Sequence, residues 1–281
     1  RGLGDVYKRQ VILRKDGKEI DRREEEIGFR YFHADAEKGF FLNGKPYRLN
    51  GVNRHQDRAE RASAFYPQDH DEDLDLMQEM GCNAVRLCHY PQAKYMHQQM
   101  DKRGLVAWVE IPFVNVYVNN PAYDENLRLQ LKELILQNYN HPCIWGWGVS
   151  NEVSDNQAEV LHLANHIRSM DSTRIIDAVS NSLYTQLSND PSLSLDLPTW
   201  NEYVGTWHAK DRSQLAGFFL DVEKALDGRP VLIAEAGLCE PAFTGGDARR
   251  VDEMIYHITE WKRHPFVCGY IYFCLEDYRT Q

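Results

Sequence analysis

The sequence predicts a (β/α)8 barrel, and three observations carry that reading. Short apolar runs of strand type alternate with longer amphipathic runs of helical period from residue 47 to residue 273. A length of 281 residues suits one such barrel, which needs about 250. Two of the apolar runs, 144–149 and 231–234, climb without interruption and then deliver a carboxylate each, Glu152 and Glu235. In a barrel of parallel strands the C-terminal strand ends carry the chemistry, so these two acids are the first candidates for function.

The elements follow in order. Val11-Ile12-Leu13 and the region around Ile20 flank Asp16-Gly17, a hairpin turn signal, and Gly28-Phe29-Arg30-Tyr31-Phe32 reads as a further strand. Residues 1–10 show no apolar period and no signal-peptide plan, and read as a join left by cloning or assembly. Residues 1–32 are too few for a domain; they are expected to be the tail of an upstream immunoglobulin-like β-sandwich, with the barrel over 33–281. Phe40-Phe41-Leu42 and Tyr47-Arg48-Leu49 flank Asn43-Gly44, a second hairpin.

The barrel strands are then expected at 47–53, 84–87, 105–111, 144–149, 174–178, 199–201, 231–235 and 267–273. Helices are expected at 69–80, with Asp69 as N-cap and Gly81 as stop, and at 93–103, stopped by Gly104. The next is expected at 126–139, ended by Asn140-His141-Pro142, and the one after it at 157–170, where Val160, Leu163, Ala164 and Ile167 fall on one face. Helices over 213–226 and 251–262 complete the set. Residues 181–198, rich in Ser, Asn, Asp and Pro, read as a long loop, so the fifth helix is poorly marked. The chain stops at Gln281, before an eighth helix, and the expected barrel is truncated after strand eight.

Composition narrows the partners. Hydrophobic residues make up 43% and charged residues 26%, with a net charge of −10. No basic tract of five residues occurs, which argues against nucleic acid or an anionic membrane. No apolar run approaches 18 residues. Cys82, Cys88, Cys143, Cys239, Cys268 and Cys274 form no Cys-x-x-Cys pair and read as free thiols of a reducing, cytoplasmic compartment. A small neutral carbohydrate suits this balance, and self-association into a homo-oligomer in the full-length protein is left open.

Glu152 and Glu235 lie two βα units apart, on facing sides of one expected barrel mouth. Two carboxylates flanking a glycosidic bond are what glycoside hydrolysis needs; in the retaining version they stand about 5 to 5.5 Å apart. Paired acids can also hold a metal, but no His-Glu-x-x-His or comparable ligand spacing accompanies them. No cofactor is expected.

Five motifs in order resemble glycoside hydrolase family 2, the β-galactosidase and β-glucuronidase family, over residues 20–281. They are Asn43-Gly44-Lys45-Pro46, Gly51-Val52-Asn53-Arg54-His55-Gln56-Asp57, Asn83-Ala84-Val85-Arg86-Leu87-Cys88-His89-Tyr90-Pro91, Ser150-Asn151-Glu152 and Ala234-Glu235. The resemblance implies that Glu152 is the acid/base and Glu235 the nucleophile. It implies that Asn151 binds the sugar 2-hydroxyl, that Tyr203 hydrogen-bonds the nucleophile, and that Arg86, His89, His55 and Asp57 line the sugar site. Arg86 beside Glu235 would keep the nucleophile ionised. Trp147, Trp207 and Phe273 at strand ends are candidates for an aromatic floor under the pyranose.

Three departures from the family pattern accompany the likeness. Glu110-Ile111-Pro112-Phe113-Val114-Asn115 lacks the acid-plus-histidine magnesium pattern of the large β-galactosidases, so no required metal is expected. Ala236 stands where the family often has Tyr, and Phe273 where it usually has Trp. The implied activity is a retaining exo-β-glycosidase of β-galactosidase type, with β-glucuronidase as the alternative. A carbohydrate-binding barrel without turnover is the reading from another class.

Overall fold

The computed structural model describes residues 6–209, 211–238 and 245–276. Strands β1 (Val6–Lys15) and β2 (Lys18–Gly28) pair as an antiparallel hairpin. Asp16 and Gly17 turn it with φ of 50° and 78°, the positive values that a two-residue turn matched to strand twist requires. Residues 6–10 belong to that ladder, and residues 1–5 lie outside the described residues. Strands β3 (Phe32–Asp35), β4 (Gly39–Leu42) and β5 (Lys45–Pro46) form a small antiparallel sheet. Its buried Phe40 packs edge-on against Trp145, near the start of a barrel strand, and so covers the N-terminal end of the barrel.

The barrel follows as β6 (Leu49–Arg54), α1 (Pro67–Glu79), β7 (Ala84–Leu87), α2 (Lys94–Arg103), β8 (Val106–Glu110), α3 (Pro121–Asn138) and β9 (Ile144–Asn151). It continues through α4 (Gln157–Met170), β10 (Ile175–Ser180), α5 (Leu183–Gln186), β11 (Thr199–Asn201), α6 (Leu215–Leu226), β12 (Val231–Glu235), α7 (Gly246–Trp261) and β13 (Val267–Tyr272). Every neighbouring pair of barrel strands is parallel, and β13 pairs back onto β6 to close the ring. The expected (β/α)8 barrel is therefore present.

Several boundaries differ from expectation for local reasons. Asp69 is not the N-cap of α1 but its third helical residue; its carboxylate accepts the Tyr66 N–H at 2.6 Å, and Pro67 opens the helix. Helix α3 starts five residues earlier than expected, because Asn120 caps it through the Ala122 N–H and Pro121 takes the first position. The loop over 181–198 holds the short α5 and a 3-10 turn at Pro191–Ser194. Buried Asp190 ties that loop down, accepting from Ser182, Ser192 and the Ser192 N–H at 2.6–3.0 Å. Cys82, Cys88, Cys143 and Cys268 are free thiols, Cys274 donates to the Glu276 carbonyl at 3.1 Å, and Cys239 lies outside the described residues.

Strand β9 explains the Trp-Gly-Trp-Gly run that made it conspicuous. Gly146 and Gly148 face the barrel interior and leave room for the side chains of β8 and β10. A Cβ on Gly148 would stand 2.7 Å from the Glu110 Cβ and 2.8 Å from the Trp108 indole nitrogen. Trp147 points the other way. It is fully buried, donates to Asp171 at 2.9 Å and lies under the Arg174 guanidinium at 4.8 Å. It belongs to the packing between strand and helix layers and is no part of a sugar floor.

Arg174 also donates to the Ile144, Tyr139 and His141 carbonyls, closing the α3–β9 turn, and pairs with Asp171 at 2.6 Å. Both ions are about 1% exposed or less. Burial alone would push the Asp171 carboxyl up. Hydrogen bonds from Thr173 and Trp147 and the Arg174 charge outweigh it and hold the group at about 2. Arg174→Ala strips a buried carboxylate of its cation and is expected to destabilise by about 3–5 kcal/mol, read from denaturant unfolding. A loss under about 1 kcal/mol would contradict this role.

Candidate active site

Parallel strands bring their C-terminal residues to one end, and the polar residues of six barrel strands converge there. Arg86, the third residue of β7, is completely buried at the centre. Its Nη2 donates to Glu110 Oε1 at 2.8 Å and its Nε to Glu110 Oε2 at 3.2 Å, a forked pair across β7 and β8. Its Nη1 donates to Glu235 Oε1 and to Asn53 Oδ1 (3.2 Å), and its Nη2 also to Asn151 Oδ1 at 2.8 Å. The Trp108 ring lies 4.7 Å from the guanidinium carbon. Burial disfavours a charged Arg86, but Glu110 and Glu235 outweigh it and raise its pKa. Burial likewise works against an ionised Glu110, and the Arg86 charge reverses that and lowers its pKa.

Glu235 ends β12, 5% exposed, and takes a second donor from the Tyr203 hydroxyl at 2.9 Å. Glu152 lies one residue past β9 with φ of +58°, a left-handed conformation that costs a non-glycine residue about 1 kcal/mol. Its N–H is held by the Val179 carbonyl at 2.8 Å. Its Oε1 accepts from Asn201 Nδ2 at 2.7 Å. Burial raises the Glu152 pKa, and the Glu235 charge adds to the rise against the Asn201 hydrogen bond and Arg86. Asn201 also reaches Asn151 Oδ1 at 3.3 Å, so one hydrogen-bonded chain runs Glu152–Asn201–Asn151–Arg86–Glu235–Tyr203. Asn151 spends its oxygen on Arg86 and Asn201, which leaves its amide N–H groups as the donors for a ligand.

The sequence-derived residues divide by position. Glu152, Glu235, Asn151, Arg86 and Tyr203 share the network. His89 joins it: with a proton on Nδ1 it donates to Glu110 at 2.9 Å, and its Nε2 stands 3.9 Å from Glu235 Oε1. His55 sits beside it, ring edge to ring face at 5.4 Å, with its Nδ1 3.3 Å from the Tyr90 hydroxyl. Burial, reinforced by His89 and Arg86, lowers its pKa to about 4 and keeps the ring neutral near pH 7. Phe273 stands edge-on to His55 at 5.8 Å, on the same wall. Asp57 is half-buried on the loop after β6, and no hydrogen bond joins it to either carboxylate among the described residues. Trp207 is 55% exposed on the loop after β11, at the rim.

Three residues in the network were not singled out from sequence. Glu110 had the same signal as the chosen acids, an apolar strand closing on a carboxylate, yet it was weighed only as part of a magnesium pattern. Asn53 lies inside a quoted motif; its amide donates to Ala234 O (2.9 Å) and Ile271 O (3.3 Å), tying β6 to β12 and β13. Asn201 ends a three-residue strand, too short for periodicity to point at it.

Among the described residues, His55, Cys88 and His89 bring possible metal-ligand atoms within 4.8 Å of one another. Coordination there would need the Cys88 proton to leave, and burial holds that thiol well above its ordinary pKa. Both imidazoles are already engaged, with Tyr90 and Glu110.

A family model described as glycosyl hydrolases family 2, TIM barrel domain, matches residues 35–272. The chain belongs to glycoside hydrolase family 2. Within that family it is 40% identical to a β-glucuronidase of Bacteroides fragilis, over 94% of this chain and 41% of that protein. A solved structure of Bacteroides uniformis β-glucuronidase 2, covalently bound to cyclophellitol-6-carboxylate aziridine, superposes with a TM-score of 0.84 at 31% identity. It covers 95% of this chain and 35% of that one. A β-galactosidase of Thermoanaerobacterium thermosulfurigenes is 31% identical over 66% of this chain and 25% of its own. The chain thus spans about two-fifths of the length of the B. fragilis relative.

The environment of Glu152 yields a test of this family 2 site without any substrate. Its carboxyl, followed by carbon NMR, is expected to titrate above the usual glutamate value of about 4.3. Asn201→Ala removes a donor to the ionised form and is expected to raise it further. A value at or below about 4.3, or a fall in the variant, would contradict the assigned environment.

Proposed function

We propose that this barrel hydrolyses terminal β-D-glucuronides with retention of configuration, with Glu152 as acid/base and Glu235 as nucleophile. The observation that carries the chemistry is the unequal setting of the two strand-end carboxyls on one hydrogen-bonded chain. Glu152 sits where burial favours its protonated form. Glu235 faces a guanidinium and a phenolic hydroxyl, both donors to a carboxylate. A pair set apart in this way divides into an acid and a nucleophile.

In the first step Glu152 gives its proton to the glycosidic oxygen while Glu235 attacks the anomeric carbon; the bond to the leaving group breaks and a glycosyl ester forms. In the second, Glu152, now ionised, takes a proton from water, and the water oxygen displaces Glu235. Asn151 donates to the hydroxyl beside the reacting carbon. Tyr203 and Arg86 orient Glu235 and accept its charge when it leaves. His89 and His55 form one wall, with Phe273 behind them and Trp207 at the rim.

The sugar is a finer matter than the chemistry. The sequence reading put galactosides first. The 40% identity to a β-glucuronidase over almost the whole chain favours glucuronides. A galactoside remains the second reading because a β-galactosidase is 31% identical over two-thirds of the chain.

A panel of nitrophenyl β-glycosides, assayed with the intact gene product, tests both levels. Turnover of the glucuronide at least about tenfold above the galactoside is expected, and the reverse order would move the assignment to galactosides. Glu235→Gln is expected to lower kcat at least about 1,000-fold. Glu152→Gln is expected to harm alkyl glycosides more than nitrophenyl glycosides, whose leaving groups need little protonation. Sugar binding without release of nitrophenol by the parent would favour a non-catalytic carbohydrate-binding barrel. Full turnover by Glu235→Gln would end the mechanism.

A further inference from the structure

Three successive residues at the end of β11 face different partners. Asn201 bonds Glu152, and Tyr203 bonds Glu235. Glu202, between them, points to the opposite side, as strand alternation requires, and is fully buried. A buried carboxylate is costly unless it is paired and hydrogen-bonded, and this one is completely supplied. Its Oε2 accepts from His257 Nδ1 at 2.7 Å and from the Trp261 indole at 3.0 Å. Its Oε1 accepts the Val204 N–H at 2.8 Å, and its own N–H binds the Glu235 carbonyl at 2.7 Å. His257 and Trp261 are one turn apart on α7, so one face of that helix grips the loop. Glu253 on the same helix lies 3.9 Å from His257 Nε2, and Arg212 pairs with Glu253 at 3.2 Å.

We propose that Glu202 and His257 are positioning residues that lock the β11 loop to α7, and thereby hold the Tyr203 hydroxyl against Glu235 during formation of the glycosyl ester. This rests on Glu235 being the nucleophile. Glu202 touches no reacting atom; it acts through its two neighbours. The loop beyond supports the same fix: the Tyr203 carbonyl accepts the His208 N–H at 2.9 Å, and Thr206 donates to the Gly237 carbonyl at 3.2 Å. A loosened Glu202 would leave Tyr203 in reach of Glu235 only part of the time. The cost would fall on the step in which charge moves off Glu235 and not on binding.

The test is a kinetic cycle in the intact gene product with nitrophenyl β-glucuronide. His257→Leu is expected to lower kcat about 10- to 100-fold with KM within about threefold, and His257→Asn, which keeps a donor near Nδ1, to recover most of the loss. In a Tyr203→Phe background His257→Leu is expected to cost less than about twofold more, because both changes break one linkage. Trp261→Phe removes the indole donor and keeps an aromatic ring in its place. It is expected to lower kcat about 3- to 10-fold in the parent and not in Tyr203→Phe, which keeps the test open if His257→Leu does not fold. Effects that multiply independently of Tyr203, or an unchanged kcat in folded His257 and Trp261 variants, would overturn the proposal. Glu235→Gln in the same series separates the two claims, since full turnover there overturns the nucleophile assignment itself.

Discussion

The site is built around one buried cation. Arg86 is cut off from water, and its charge is acceptable there only because Glu110 and Glu235 neutralise it and Asn53 and Asn151 take its remaining N–H groups. That requirement fixes more than Arg86. It sets the side chains of β6, β7, β8, β9 and β12 relative to one another at the barrel mouth, with Trp108 packed against the guanidinium from below. The glycines of β9 follow from the same demand, because any larger residue at Gly148 would collide with Glu110 and Trp108.

From this centre the two carboxyls acquire different surroundings. Glu235 touches the cation directly. Glu152 is reached through two amides, Asn151 and Asn201, and so keeps the pKa rise that burial imposes. Glu152, one residue past its strand, takes a left-handed backbone conformation, and its carboxyl is held by the Asn201 amide. Local strain at that residue is offset by the N–H bond to Val179 and by the neighbouring strand β10.

Much of this was legible in the chain. Alternation of strand and helix signals predicted the barrel, because each strand is buried on both faces and each helix on one. Carboxylates at the ends of apolar runs predicted Glu152 and Glu235, because a buried strand rarely finishes on an acid without a partner. What periodicity could not convey was direction. Trp147 and Trp207 look alike as strand-end aromatics, yet one is sealed between strand and helix layers and the other stands at the rim. Asn201 and Glu202 escaped notice because a three-residue strand carries no period. Their importance comes from partners on β9 and α7 that are far away in sequence. Helices α1 and α3 open earlier than expected, at Pro67 and Pro121, because a proline at the first helical position gives up an N–H that has no partner there.

In the proposed reaction Glu235 forms a covalent glycosyl ester at the anomeric carbon, while Glu152 passes protons to the departing oxygen and from the arriving water. The most direct measurement is the anomeric configuration of the first product, followed by proton NMR as the intact protein hydrolyses an aryl β-glucuronide. Two displacements return the β-anomer first, with the α-anomer appearing only by slow mutarotation, and that is the expected result. The α-anomer appearing first would mean a single displacement by water and would contradict the roles assigned to both carboxylates.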